Sequence, residues 1–293
     1  PIDLLASGIS AATHTNVVSP TFLDEVAMGH HSTIPPHLSH LLYHKREAGI
    51  ASGIVNAPDR SFNPQIDPYL PEKYGPRRHH TIKPKLKKDL QKRLLLKEDP
   101  SVPILFWPSR LDPIQKGCSL LADILFQLIN DYSHLGLQIV MIADGPYQQH
   151  FQGIVAYHGI SDRIAVQPFS ESLSHLGYGG SDFVLMPSSF EPCGLPQMIG
   201  CRYGSLPIAH ATGGLKDTVR HLNIHENTGN GFLFEHFTTD GFRWAIDQAM
   251  EFYQLKPDHK NPQIKRIMEQ SKEDFSDERV VADYQKIYND LVN

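Results

Sequence analysis

From Val102 onward, short apolar runs alternate with segments of helical periodicity, and few architectures accept that pattern. The runs fall at 104–107, 137–142, 164–166, 183–186, 206–208 and 232–234. Between the first two, Leu120, Leu121, Ile124, Leu125 and Leu128 recur at helical spacing. Another helix is expected over about 147–157. Apolar runs this short, bounded by loops, read as strands buried on both faces. Strands that alternate with helices imply βαβ units and a parallel sheet. Right-handed crossovers then place helices on both of its faces. The expectation is an α/β chain with one doubly wound parallel sheet over about residues 100–255. Ligands of such sheets sit at the carboxyl ends of the strands, so the loops there are where chemistry is sought.

Upstream of residue 60 the organisation differs. A short helix is expected over 2–11 and a strand over 15–18. A helix follows from Ser19-Pro20, with Ser19 as N-cap and Pro20 in the first turn. Pro35-Pro36 and the histidines around them read as loop, and 53–56 as a second short strand. Residues 59–75, rich in Pro, Asn and Asp, should be irregular. Basic residues crowd between Arg77 and Lys97 and read as the solvated face of a helix over about 83–96. A final helix is expected over about 277–291, with one packed face that includes Tyr284, Ile287 and Tyr288.

With a net charge of −5, the chain lacks the basic footprint of a nucleic-acid partner. No apolar run is long enough to span a bilayer, so no membrane partner is expected. Three widely spaced cysteines, without a Cys-x-x-Cys pair, suggest a reduced, cytoplasmic location. The 17 histidines raise the question of a metal, but the spacings of known zinc sites are absent, and none is expected. The sequence opens on Pro-Ile-Asp-Leu without a Met, which suggests a fragment. Oligomeric state is not legible.

Three loops at the expected carboxyl edge carry unusual chemistry. Ser109-Arg110-Leu111-Asp112-Pro113-Ile114-Gln115-Lys116-Gly117 sets two cations before a helix N-terminus, where anions are favoured. A departing diphosphate needs such charge, although a solvated turn would look the same. Phe190-Glu191-Pro192-Cys193-Gly194-Leu195-Pro196-Gln197 places a carboxylate at a strand-to-helix turn. The amides of Cys193, Gly194 and Leu195 would face the cleft. The plain alternative is an acidic residue complementing a helix dipole. In His210-Ala211-Thr212-Gly213-Gly214-Leu215, two glycines after a strand permit close approach of backbone to a ligand, or simply a tight turn.

Together these loops resemble the bacterial glycogen synthase and starch synthase family. Phe190 to Leu195 reproduces its Phe-Glu-Pro-Cys-Gly-Leu signature. Tyr203-Gly204, Leu206-Pro207, Thr212-Gly213-Gly214-Leu215 and Asp217-Thr218-Val219 follow in order and spacing. Ser109-Arg110-Leu111 with Gln115-Lys116-Gly117 is similar to its diphosphate loop. Val18-Ser19-Pro20-Thr21, Gly53-Ile54-Val55-Asn56 and Asp274-Phe275-Ser276 extend the likeness over nearly the whole chain.

The resemblance implies a retaining GT-B glycosyltransferase that adds glucose from ADP-glucose or UDP-glucose to the non-reducing end of an α-1,4-glucan, without metal or cofactor. Residues 1–58 would be the end of the N-terminal acceptor domain plus hinge. Residues 59–275 would form the C-terminal Rossmann-like domain that binds the nucleotide sugar, and 276–293 the C-terminal crossover helix. By the same resemblance, Arg110 and Lys116 would hold the diphosphate and Glu191 the glucose hydroxyls. The amides of Cys193, Gly194 and Leu195, with Thr212, Gly213 and Gly214, would line the donor site. Phe169 stands where the family has a tyrosine stacked on the nucleobase. The cytoplasm, or a plastid in a plant, is the location the family implies.

Several positions depart from the family. Pro196 stands where a backbone amide usually meets phosphate, and Pro has none. Asn56-Ala57-Pro58-Asp59 replaces Asn-Gly-Val-Asp at the hinge, Asp277 replaces a tryptophan, and the diphosphate loop is one residue longer than in many members. The family's lysine-glycine-glycine-leucine loop and its histidine against the glucosyl unit are not found upstream of residue 60, so the chain alone is expected to be inactive. Two alternatives stand beside the leading reading. One is a non-catalytic GT-B-like domain that binds a glucan or a partner. The other is a different GT-B enzyme, of sucrose or trehalose type. The latter typically carries a second Glu eight residues after the first, where this chain has Ile199.

Overall fold

The computed structural model describes residues 3–292. The chain opens with α1 (Leu4–Ala11), β1 (Thr15–Val17), α2 (Pro20–Ala27), α3 (Pro36–Glu47) and β2 (Ala51–Gly53). An irregular stretch then leads to α4 (His79–Arg93). The alternating part runs β3 (Ile104–Trp107), α5 (Cys118–Asp131), β4 (Gln138–Ile142), α6 (Gln148–His158), β5 (Ile164–Gln167), α7 (Glu171–Gly180), β6 (Phe183–Met186), α8 (Pro196–Tyr203), β7 (Leu206–His210), α9 (Gly213–Thr218), β8 (Phe232–Phe234) and α10 (Thr239–Tyr253). Helices α11 (Pro257–Asp274) and α12 (Asp277–Val292) close the chain.

Strands β3 to β8 form one sheet in the order β5-β4-β3-β6-β7-β8, and every pairing is parallel. The expected doubly wound sheet is therefore present. Counted from β3, its order is the 3-2-1-4-5-6 of dinucleotide-binding folds, with the reversal between β3 and β6. Successive strand residues point to opposite faces. Leu105, Trp107, Ile139, Met141, Phe183 and Leu185 pack on one side with α5, α6 and α10. Ile104, Phe106, Val140, Ile142, Val184 and Met186 pack on the other with α4 and residues of α7 to α9.

The N-terminal segment is a smaller unit. Its strands β1 and β2 pair in parallel, Thr15 opposite Ala51 and Val17 opposite Gly53. Helix α2 starts as expected, with Ser19 Oγ accepting from the Phe22 amide at 2.9 Å. The loop expected around Pro35-Pro36 is instead the start of α3. Pro36 occupies its first turn, where a missing N–H leaves no bond unmade. Leu38 and Leu42, four residues apart, give it a buried stripe. The second strand lies at Ala51–Gly53 rather than 53–56, where its residues stand opposite Thr15 to Val17.

The basic stretch also corrects the reading of a solvated face. Lys83 and Lys87 of α4 are interior. Lys83 Nζ lies 2.9–3.3 Å from the carbonyls of Tyr178, Gly179 and Tyr203 and from Ser205 Oγ. Lys87 donates to Val102 O at 2.7 Å and to Asp182 at 2.6 Å. Lys85 and Lys88 face solvent, so only part of the run behaves as its charge suggests.

Helix α12 buries none of its described residues. Its Tyr284 hydroxyl accepts from Asn16 of β1 at 2.9 Å, and Tyr288 is exposed. The helix touches the N-terminal segment through Tyr284, and the packed face expected of it is not buried. Among the described residues no helix is long and apolar enough to cross a membrane.

Candidate active site

All the loops singled out in the sequence leave the carboxyl edge of the six-stranded sheet. Arg110 and Lys116 follow β3, Phe169 follows β5, Glu191 to Leu195 follow β6, and Thr212 to Gly214 follow β7. The β3 loop is shaped by Asp112, whose Oδ1 accepts from the amides of Ile114 at 2.8 Å and Gln115 at 2.9 Å. Those amides hold its carboxyl below the usual carboxylate range. The turn delivers Lys116 to Gly117, whose φ of 71° is left-handed. A Cβ there would meet Pro187 O at 2.0 Å, so glycine is required both by conformation and by the closeness of the β6 loop.

The β3 and β6 loops are stitched together. Ser189 donates its amide to Gln115 O at 2.8 Å and its hydroxyl to Ile114 O at 2.9 Å. Across this seam Lys116 Nζ donates to Glu191 Oε2 at 2.5 Å. Both side chains are buried, and Ser188 Oγ adds a hydrogen bond to the same oxygen at 3.1 Å. Glu191 Oε1 has no protein donor among the described residues.

Arg110 is exposed and donates to Gln115 Oε1 at 3.4 Å. Gln115 Nε2 reaches Phe190 O at 3.4 Å, so Arg110 joins the group through that side chain rather than by touching Glu191. Phe169 is 57% exposed. Its amide donates to Asp144 Oδ1 at 3.1 Å, while Asp144 O receives the amide of Leu111 at 2.9 Å. Asp144 thus ties the Phe169 loop to the residue after Arg110.

Gln197 orients the turn after Glu191. It is fully buried, and its Nε2 lies 3.2 Å from Cys193 O, 2.9 Å from Gly194 O and 2.9 Å from Thr218 Oγ1. Each peptide unit is planar with N–H opposite C=O. Drawing the two carbonyls toward Gln197 turns the amides of Gly194 and Leu195 the other way. The amides of Cys193, Gly194 and Leu195 have no protein acceptor among the described residues. Burial raises the Cys193 thiol pKa. Pro196 opens α8 in the first helical turn, so its missing N–H interrupts no helical bond.

The third loop is engaged within the protein. Gly214 N donates to Glu191 O at 2.9 Å. Gly213 N donates to Glu25 Oε1 at 2.9 Å, and Thr212 Oγ1 lies 3.1 Å from both oxygens of that carboxylate. His210 of β7 is buried, which lowers its pKa, and its Nδ1 meets Ser188 O at 2.8 Å.

Sequence reasoning did not single out Ser188, Asp144 or Glu25, and it gave Gln197 no role. Gln197 was detectable in principle, as a polar residue one position into a helix that follows Gly-Leu-Pro. Glu25 was not, because 188 residues separate it from Gly213.

The geometry offers a buried cation against a carboxylate, a second cation nearby, and a row of outward amides. Such a set suits an anionic leaving group beside a hydroxylated one. The sequence profile of the glycosyl transferases group 1 family matches residues 87–265. A glycogen synthase of Bacillus subtilis is 33% identical over 99% of this chain and 57% of its own length. One of Exiguobacterium sibiricum is 35% identical over 98% of this chain and 57% of its own. The catalytic domain of Arabidopsis thaliana starch synthase IV, bound to ADP and acarbose, superposes with a TM-score of 0.84 at 30% identity, covering 97% of this chain and 57% of that one. A sucrose-phosphate synthase of Thermosynechococcus elongatus shares the fold, with a TM-score of 0.64 at 19% identity over 98% of this chain and 60% of that one. The chain spans a little over half the length of these glycogen synthases.

Proposed function

The chain belongs to the glycogen and starch synthase family of group 1, GT-B glycosyltransferases, and from that premise we propose that it binds a nucleotide-activated glucose at the carboxyl edge of its six-stranded sheet for transfer to the non-reducing end of an α-1,4-glucan. The observation that carries this reading is the Lys116–Glu191 pair at 2.5 Å beside the free amides of Cys193 to Leu195.

When the glycosidic C–O bond to the diphosphate breaks, negative charge develops on the departing oxygen. Lys116 and Arg110 supply positive charge there, and no metal is invoked. Glu191 accepts hydrogen bonds from the glucose hydroxyls, and the three amides face sugar and phosphate oxygens. Preorganised donors of this kind stabilise developing charge without reorganising during the reaction. The new bond forms on the face the diphosphate leaves, so the anomeric configuration is retained. Phe169 offers its exposed ring to the nucleobase. ADP-glucose is the favoured donor, because the starch synthase with the same fold at 30% identity was solved with ADP. The 212–214 turn is a wall of the site more than a source of donors, since its amides and hydroxyl are already bonded. In this reading residues 1–58 belong to the acceptor side and the hinge, and α12 is the crossover helix.

Calorimetric titration with ADP tests the assignment. Binding should be independent of divalent metal. Lys116→Ala should weaken it by about 1.5–3 kcal/mol, the range of a charge-assisted hydrogen bond. Unchanged ADP affinity in both Lys116→Ala and Arg110→Ala would reject the diphosphate site. Transfer assays on the full-length protein, with ADP-glucose against UDP-glucose, decide the donor.

A further inference from the structure

Helix α2 reaches the candidate site with a charged side chain. Glu25 projects from α2 and is largely buried, its side chain 15% exposed. One oxygen accepts from the Gly213 amide at 2.9 Å, and the hydroxyl of Thr212 lies within reach of both oxygens. The other oxygen meets His31 Nε2 at 3.0 Å. The His31 ring in turn rests against Phe22 and, edge-on, against Phe190, with centroids 5.5 and 5.6 Å away.

These contacts bracket Glu191. On one side, Glu25 fixes the Thr212–Gly213 turn. The next amide, of Gly214, donates to Glu191 O at 2.9 Å. Gly213 lies so close to that same carbonyl that a Cβ on it would stand 2.0 Å from the oxygen. On the other side, the His31 ring held by Glu25 presses on Phe190, the residue before Glu191. Two arms from one carboxylate therefore reach the Glu191 carbonyl on one side and the Phe190 ring on the other.

The anchoring of α2 is separate. Asp217, within α9, accepts from Ser19 Oγ at 2.5 Å, Thr21 N at 3.1 Å and Thr21 Oγ1 at 2.6 Å. Asp217 thus docks α2 at its first turn, apart from Glu25. The side-chain bonds of Glu25 go to the 212–213 turn and to His31.

We infer that Glu25, with His31, is a positioning residue: it sets the backbone of Phe190 and Glu191 through the 212–214 turn and so places the Glu191 carboxylate against the glucosyl group. This rests on the function proposed above.

The test uses the full-length protein, with Glu25→Ala and Glu25→Gln compared with wild type for transfer from ADP-glucose to a maltooligosaccharide. Hydrogen exchange of the Gly213 and Gly214 amides is followed in the same preparations. Glu25→Ala should lose about ten- to a hundredfold in kcat, the scale of a small misplacement of a reacting group, with little change in the KM for acceptor. Both amides should exchange faster. Glu25→Gln keeps a carbonyl oxygen for the Gly213 amide and should recover part of the rate. Undiminished kcat in a folded Glu25→Ala protein would overturn the inference. So would unchanged exchange at Gly213 and Gly214, or a loss of activity that merely follows a smaller folded fraction. Wild-type protein that transfers glucose from no nucleotide sugar would reject the functional reading instead, while the exchange comparison would still decide whether Glu25 holds the turn.

Discussion

Lys116 and Glu191 face each other with side chains only 11% and 8% exposed. A pair this buried is a weak source of net stability, because each ion loses most of its hydration. Breaking it is another matter, since the survivor stays buried without its counter-charge. Lys116→Met and Glu191→Gln should each destabilise the chain, Lys116→Met by up to about 3–5 kcal/mol. The double variant should cost clearly less than the sum. Urea unfolding of the four proteins measures this, and strict additivity would mean the two groups do not depend on each other. At this scale the sequence pointed to Arg110, Lys116 and Glu191 by residue type and neighbours, and the fold brings the last two into contact. The sequence was silent on Ser188 and Glu25, whose roles come only from where the folded chain brings them.

Among the elements, every strand of the large sheet was legible, because a buried parallel strand is a continuous apolar run between loops. What misled was local chemistry that tertiary structure overrode. Pro35-Pro36 read as loop although a proline in the first turn suits a helix, and the histidines of α3 hid Leu38 and Leu42. The basic run of α4 read as solvated because charge normally stays in water, yet the end of α7 and the turn after α8 present a ring of acceptors to Lys83. Burial still pulls its pKa from the ordinary 10.5 to about 7. The folded state therefore binds fewer protons than the unfolded chain between those values, so stability should rise with pH across that window. Below about pH 7 both states hold the proton and the full penalty of the buried charge remains. Lys83→Met should flatten this slope while leaving three carbonyls and Ser205 without their donor. Thermal melts of the two proteins from pH 7 to pH 10 test it; equal slopes would show that Lys83 keeps its proton throughout.

For the molecule as a whole, the question is what ties residues 3–53 to the six-stranded domain. Two groups of bonds cross this seam. One joins α2 to α9 through Asp217, with Glu25 beside it. The other runs along α12, where Tyr284 bonds Asn16 and the helix start pairs with Arg60. Arg60 meets Asp277 at 2.7 Å and Glu278 at 3.1 Å, where the sequence expected only a departure from a tryptophan. Those ion pairs are exposed and contribute little in salt. Since α12 buries no described residue, removing 277–292 should leave the sheet domain's melting temperature nearly unchanged. Asp217→Ala should likewise be tolerated alone, because Tyr284 still holds β1. Together the two changes leave only the Glu25 bonds to Thr212 and Gly213 across the seam, and the effect on the N-terminal unit should exceed their sum. Its small core, centred on Leu23, Val26 and Leu42, is too slight to hold it in register. Limited proteolysis gives the measurement. Cleavage within 3–53 should accelerate modestly in each single variant and by an additional factor of about ten in the combination, which corresponds to about 1.4 kcal/mol of coupling. Equal acceleration by truncation alone would place the whole attachment on α12 and remove Asp217 from the account.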